Sequence, residues 1–163
     1  MIDSLPVLRV LLLLGVANGA PVFAKKFLNN SFDAPLDAGI RLADGQPLFG
    51  ASKTIRGLAV SVVSTALAAT LLGLDWTTGA VFAAASLAGD LLSSFLKRRR
   101  GLELHAQAFG LDQIPEALLP LLLLRTTLSL STVDIAVTVV AFIILELVLS
   151  RLLFMLNIRD RPY

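Results

Sequence analysis

Residues 77–100 read TTGAVFAAASLAGDLLSSFLKRRR, and the fold turns on this stretch. From Thr77 to Leu96 it is apolar, small or hydroxylic apart from Asp90. A helix of that length, at about 1.5 Å per residue, reaches roughly 30 Å, the thickness of a bilayer's hydrocarbon core. Four cations, Lys97 to Arg100, then close it. In a helix Ser86, Asp90, Ser93, Ser94 and Lys97 fall at spacings of three, four and seven and share one face. An ionised carboxylate inside a spanning helix costs about 2.5–3.5 kcal/mol on insertion scales and faces the bundle interior or a water-filled cavity. Asp90 therefore needs a partner. Lys97 or a serine hydroxyl would make a packing contact; a divalent cation held by oxygen ligands would make a functional one.

The rest of the chain has the same character. Hydrophobic residues make up 56% of the 163 positions and charged residues 16%, with a mean hydropathy of +0.80. Soluble domains typically have about 45–50% apolar and about 25% charged residues. The composition predicts an all-α integral membrane protein, a single membrane-embedded domain over residues 1–163. There is no cysteine, which excludes disulfides and thiolate metal sites. Five apolar runs read as transmembrane helices: Leu5 to Ala20, Leu58 to Leu74, Thr77 to Leu96, Ile114 to Leu130 and Val133 to Phe154. The first lacks the clearly positive start of a signal peptide, so it counts as a span.

The cations set the orientation. Lys25, Lys26, Arg41, Lys53 and Arg56 follow span one, Lys97 to Arg100 follow span three, and Arg151, Arg159 and Arg161 lie at the C-terminus. With five spans these three regions share a side, and they hold twelve of the fourteen Lys and Arg residues. Arg9 and Arg125 fall near helix ends on the other side, where they can snorkel. The positive-inside rule makes the rich side cytoplasmic, with the N-terminus outside and the C-terminus inside. The two long loops then face the cytosol, and loops longer than about 12–15 residues are often functional.

Those loops hold the candidate chemistry. The run KRRR complements a helix C-terminus and signals topology. Asp112 follows in the same loop, where LDQIPE opens span four; it can cap that helix or hold a cation, and Pro115 sits in the first turn. At the entry to span two, FGASKTIRG resembles the phosphate loop GxxxxGK[ST] only superficially, because two residues separate Gly50 from Lys53. Its glycine-rich backbone, Lys53, Arg56 and a helix N-terminus still suit an anion. Asn18 and Pro21 break span one near the cytosolic face. Glu146 stands five residues before Arg151, a simple ion pair. His105 has no second His or Cys to make a metal site. Two carboxylates, a cation cluster and a helix N-terminus at one bilayer edge suit a polyphosphate carried by Mg2+. No side chain offers an activated nucleophile, so the substrates must supply it while the protein contributes charge and positioning.

In order and spacing, VANGAP, KKF, ADGQPLFG, SKTIRG, GDLLSSFLKRRRG and LDQIPE resemble the CDP-archaeol synthase family, and the likeness runs to the C-terminal DRPY. The resemblance implies an integral membrane enzyme, related to CDP-diacylglycerol synthases, that transfers a cytidylyl group from CTP to the phosphate of an unsaturated ether-linked glycerol phosphate with Mg2+. Its implied partners are CTP, a membrane lipid phosphate and the bilayer, with no nucleic acid, and its implied location is the cell membrane with the site facing the cytosol. Residue by residue it assigns Asp44, Lys53, Thr54, Arg56 and Gly57 to a first motif, after Asn18 in span one. Asp90, Ser94, Lys97, Arg98 and Arg99 form a second, and Asp112 and Gln113 a third. Asp90, Asp112 and Lys97 are the expected catalytic residues, with both aspartates on the metal. The sequence departs from the family pattern at Ala51, where members often carry Asp, and at Pro115, where an acidic residue commonly follows the DQ pair; Glu116 comes next.

Two rivals share these features in part. A CTP-dependent lipid kinase would pass on the γ-phosphoryl group, and a small transporter or assembly protein would use the charges only for topology. The orientation itself is open to a direct test: a reporter fused after Tyr163 is expected to be active only in the cytosol, and activity outside would overturn the shared cytosolic site.

Overall fold

Five helices stand where five apolar runs are expected, but not all at the expected length. The computed structural model describes residues 4–28, 31–103 and 108–158. Among them are α1 (Ser4–Leu28), α2 (Ile55–Leu71), α3 (Trp76–Arg99), α4 (Gln113–Leu123) and α5 (Thr132–Met155), with isolated β-bridges but no strand. Helices α1, α3 and α5 are long and apolar enough to cross a membrane; α2 has 17 residues and α4 only 11. At about 1.5 Å per residue α4 covers roughly half a bilayer core. It stops at Leu123 rather than Leu130, where the chain leaves the helix through turns at residues 124–129, with Ser129 at φ +53°. The leucine run is thus split: Leu121 and Leu124 are core, while Leu122 and Leu123 point outward.

Helix α1 departs in the other direction. It runs without a break through Asn18 and Pro21 to Leu28. Proline cannot donate to the carbonyl one turn earlier, and an unsatisfied carbonyl in an apolar surrounding is costly. Here the Ser61 hydroxyl of α2 donates to Ala17 O at 2.7 Å and takes the place of the missing N–H. The local rule that proline ends a helix is overridden by a neighbour.

Helix α3 is central, packed between α2 and α4, while α1 joins α2, α3 and α5. Val10, Leu13, Leu14, Phe82, Leu121 and Phe142 are fully buried between them. Val140, Ile144 and Val148 leave a stripe of α5 exposed at four-residue steps, as do Val63, Leu67 and Leu71 on α2; such faces suit lipid rather than water. Two glycines set the spacing of the helices. A Cβ at Gly79 would lie 2.6 Å from Ala69 Cβ and Thr65 O of α2, and one at Gly89 would lie 2.3 Å from Pro115 O of α4. Backbones meet there because no side chain intervenes.

The long loop before α2 is ordered by Asp37. Its carboxylate, almost fully buried, accepts from the N–H groups of Gly39, Phe49 and Gly50 at 2.9–3.0 Å. Burial pushes the Asp37 value up, but those three donors outweigh it and hold the group below its ordinary 3.8. The bridge between Pro35 and Thr54 then fixes the entry to α2, with Leu36 N donating to Lys53 O at 2.7 Å. Thr54 caps α2 by accepting from Gly57 N at 3.1 Å.

Gly89→Ala is expected to lower unfolding stability by about 1–3 kcal/mol, the usual range for overpacking, whereas Gly15→Ala, where a Cβ meets nothing within 4 Å, leaves thermal unfolding unchanged or slightly improved; equal behaviour of the two would refute the close-approach account. Because the Asp37 value is lowered on folding, its contribution is present above pH 3.8 and is lost as pH falls through the folded value. Protection of the Gly39, Phe49 and Gly50 amides from hydrogen exchange, relative to the unstructured chain at the same pH, should therefore hold above pH 3.8 and drop as pH falls through the folded value, and Asp37→Asn should be less protected already at neutral pH.

Candidate active site

The partner of Asp90 is Lys53, 37 residues away in sequence and across the gap between the long loop and α3. Lys53 Nζ donates to both carboxylate oxygens, at 2.6 and 2.5 Å. Neither Lys97 nor a serine of α3 takes that place. Burial works to lower the Lys53 value, but contact with Asp90, reinforced by Glu116 and Asp112, holds the ammonium above its ordinary 10.5. Lys53 is therefore charged at neutral pH.

Lys97, about two helical turns beyond Asp90, pairs instead with Asp112 at 2.7 Å. Asp112 does not cap α4: its other oxygen accepts from Ala108 N at 3.0 Å, its backbone is already helical, and its side chain makes no cap bond. The loop that carries it is tied to α3 by the Ser93 hydroxyl, 2.5 Å from Leu111 O. Gln113 is buried and accepts from Gly110 N at 2.9 Å. Arg98 is buried too, donating to Glu103 O at 2.8 Å, with Asp112 within electrostatic reach and its Nε without a partner among the described residues. Ser94 is buried on the same helix. Asn18 of α1 donates to Leu14 O at 2.9 Å and reaches Ser86 Oγ, one turn from Asp90, at 3.5 Å.

Other candidates stand apart from this centre. Arg99 pairs with Asp44 at 2.6 Å, donates to Pro47 O at 2.7 Å and lies over the Phe95 ring, 5.3 Å from its centroid. Arg56 is buried and holds the start of the loop, donating to Ser31 O at 2.5 Å and Asp33 at 3.0 Å. Thr54 and Gly57 form the α2 cap. His105, Arg159 and Arg161 lie outside the described residues.

Three acidic groups escaped the reading of the sequence. Asp33 and Asp37 organise the loop; the only local signal was the DAG turn at 37–39. Glu116 is buried in α4, and Asp90, Glu146, Lys53 and Asp112 all lie within its electrostatic reach. Its position follows from the α3–α4 contact at Gly89, which no spacing in the sequence reveals.

Among the described residues no three His, Asp or Glu side chains stand together as a ready-made metal site. The donor set nevertheless fits Mg2+, which usually takes one or two carboxylates and completes its shell with water and substrate phosphate. Asp90 and Asp112 are such oxygens, and in this structure each is already in contact with a cation, an ammonium group. The arrangement as a whole presents two carboxylates and two ammonium groups from three separate segments.

The CarS-like family, described as CDP-archaeol synthase, matches residues 7–163. The CDP-archaeol synthase of Sulfurisphaera tokodaii is 30% identical over 154 residues, covering 91% of this chain and 89% of that one. The one from Hyperthermus butylicus is 38% identical over 104 residues, covering 60% and 59%. A solved structure of "an intramembrane enzyme for archaeal membrane lipids biosynthesis" superposes with a TM-score of 0.72 at 29% identity, covering 91% of this chain and 94% of that one. With nearly the whole chain matched and the same helical frame, this protein belongs to the CDP-archaeol synthase family.

Proposed function

We propose that the chain transfers a cytidylyl group from CTP to the phosphate of an archaeol-type, ether-linked membrane lipid, releasing pyrophosphate. The whole of residues 1–163 acts as one unit in the cell membrane, with the site toward the cytosol. The observation that carries this reading is the pair of contacts Lys53–Asp90 and Lys97–Asp112, with 2.5 and 2.7 Å between the charged atoms. They bring the three motifs of the sequence to one place, at the cation-rich end of α3.

In the proposed reaction an oxygen of the lipid phosphate attacks the α-phosphorus of CTP. The bond between the α-phosphorus and the α,β-bridging oxygen breaks, and its electron pair leaves on that oxygen with pyrophosphate. A phosphate monoester is already anionic at neutral pH, so no general base is needed. Lys53, Lys97 and Arg98 hold the triphosphate and the acceptor phosphate, two anions that would otherwise repel each other. Asp90 and Asp112 would hold Mg2+, which would neutralise charge on the phosphates. Each ammonium and each carboxylate satisfies the other in this structure; the ammonium groups would be free to bind phosphate where the carboxylates held a cation. Arg56, tied to Asp33 and Ser31, and Arg99, tied to Asp44, shape the long loop that covers this place.

Labelled CTP tests the reaction. Cytosine label is expected in the lipid fraction and γ-phosphate label in pyrophosphate, provided the acceptor already carries a phosphate; γ-label in the lipid with soluble cytosine label would replace this reading by a lipid kinase. In the same assay Asp90→Asn should reduce turnover at least tenfold, a barrier change of about 1.4 kcal/mol or more. Activity above that level would leave Asp90 as a partner for Lys53 alone.

A further inference from the structure

We propose that Arg9 binds the phosphate headgroup of a bilayer lipid, in a cavity at the end of the bundle opposite the candidate active site. This rests on α1 lying in a membrane and is independent of the proposed reaction. Among the described residues two cations lie at that end, Arg9 in α1 and Arg125 between α4 and α5. Arg125 is occupied: it donates to Leu130 O and Thr132 Oγ1, both at 3.2 Å, and so belongs to the turn before α5. Arg9 has no hydrogen bond or ion pair among the described residues. Of the carboxylates at that end, Asp134 is taken up by Ser131 in the capping box of α5, and Asp75 forms no ion pair with Arg9.

The Arg9 guanidinium stands beside the turn between α2 and α3, where a Cβ added at Gly73 would lie 3.9 Å from Arg9 Nη2. There it joins Pro6, Leu74, Thr127, Leu128 and Ser129 around a cavity of about 250 Å3. Thr127 and Ser129 are exposed and bring two hydroxyls with no side-chain hydrogen bond among the described residues. A guanidinium can hold two phosphate oxygens at once, and the hydroxyls can donate to a third. Helix α1 points to a lipid as the source of that phosphate. Arg9 follows Leu5 by four residues and precedes Leu12 by three, so the three share a helix face, and both leucines are exposed, at 54% and 47%. In a helix long and apolar enough to cross a membrane, a charge on such a face is costly unless water or an anion reaches it. A phospholipid supplies a phosphate for Arg9 and hydrocarbon for the leucines together. A free phosphate would satisfy only the first.

Trp76, the single tryptophan of the chain, reports on this end alone. It is exposed at the start of α3, two residues from Leu74, while Lys97 lies about six turns further along the same helix, roughly 30 Å away at 1.5 Å per residue. The purified full chain in detergent is titrated with a dibrominated phosphatidylglycerol, whose bromines quench nearby indole fluorescence, and with the dibrominated diacylglycerol that has the same chains and no phosphate. The phospholipid is expected to quench Trp76 at a concentration about tenfold lower, the worth of one charge-assisted contact. Equal potency of the two lipids overturns the proposal, and no quenching by either overturns the membrane placement of this end as well. Arg9→Gln should lose most of the preference for the phospholipid with thermal unfolding in detergent unchanged, and Arg9→Lys should keep part of it; an undiminished preference in Arg9→Gln overturns the proposal. Should Arg9→Gln not fold, the comparison of the two lipids on wild type decides. Millimolar inorganic phosphate is expected to leave the quenching unchanged, and its reversal would assign the cavity to a free anion and overturn the lipid as ligand.

Discussion

The contact between Lys53 and Asp90 constrains more of this molecule than any other. A carboxylate in the second half of an apolar helix has to be neutralised, and the neutralising ammonium comes from the last residues of a long polar loop rather than from α3 itself. To deliver it, the loop must be held at a fixed place against the helix end. Asp37 gathers three backbone N–H groups, the Pro35–Thr54 bridge pins Lys53, and Arg99 clasps Asp44 and the Pro47 carbonyl. Each of these serves to make one approach reproducible.

Close backbone packing supplies the other half of the geometry. Gly79 and Gly89 let α3 touch α2 and α4 without side chains between them, and this sets how near the charged groups of the three segments come. Hydroxyls complete the framework where local bonding fails: Ser61 replaces the donor that Pro21 withholds from α1, and Ser93 ties α3 to the loop that presents Asp112. Interhelical contact of this kind relies on shape and a few hydrogen bonds, as expected where lipid offers no hydrophobic drive for helices to associate.

The basic residues divide their work. Lys53 and Lys97 face carboxylates that a cation would also satisfy, and an ammonium is a mobile point charge able to change partners. Arg56 and Arg99 have planar groups fixed by several acceptors, including backbone carbonyls, and stabilise the loop. Arg98 stands between, buried, with a single backbone carbonyl as acceptor and Asp112 within electrostatic reach. Lysine where one ammonium meets one carboxylate, and arginine where a planar group meets several acceptors, is the distribution that their chemistry favours.

Five apolar runs, their order and the crowding of charge at a few loop ends follow from the sequence alone, because hydropathy and cation placement are local properties of the chain. The residues of the three motifs can be picked out there too, by their likeness to the family pattern. Pairings were beyond its reach. Asp90 looked toward Lys97 because helical spacing reports only neighbours on one helix, whereas Lys53 and Asp112 arrive through the packing of other segments. Helix lengths were misjudged for the same reason: α1 continues past Pro21 because a serine on α2 repairs it, and α4 stops at Leu123 although the leucines run on. Glu116 comes within electrostatic reach of Asp90 and Asp112 through the α3–α4 contact at Gly89, a meeting of two backbones that tertiary structure alone decides.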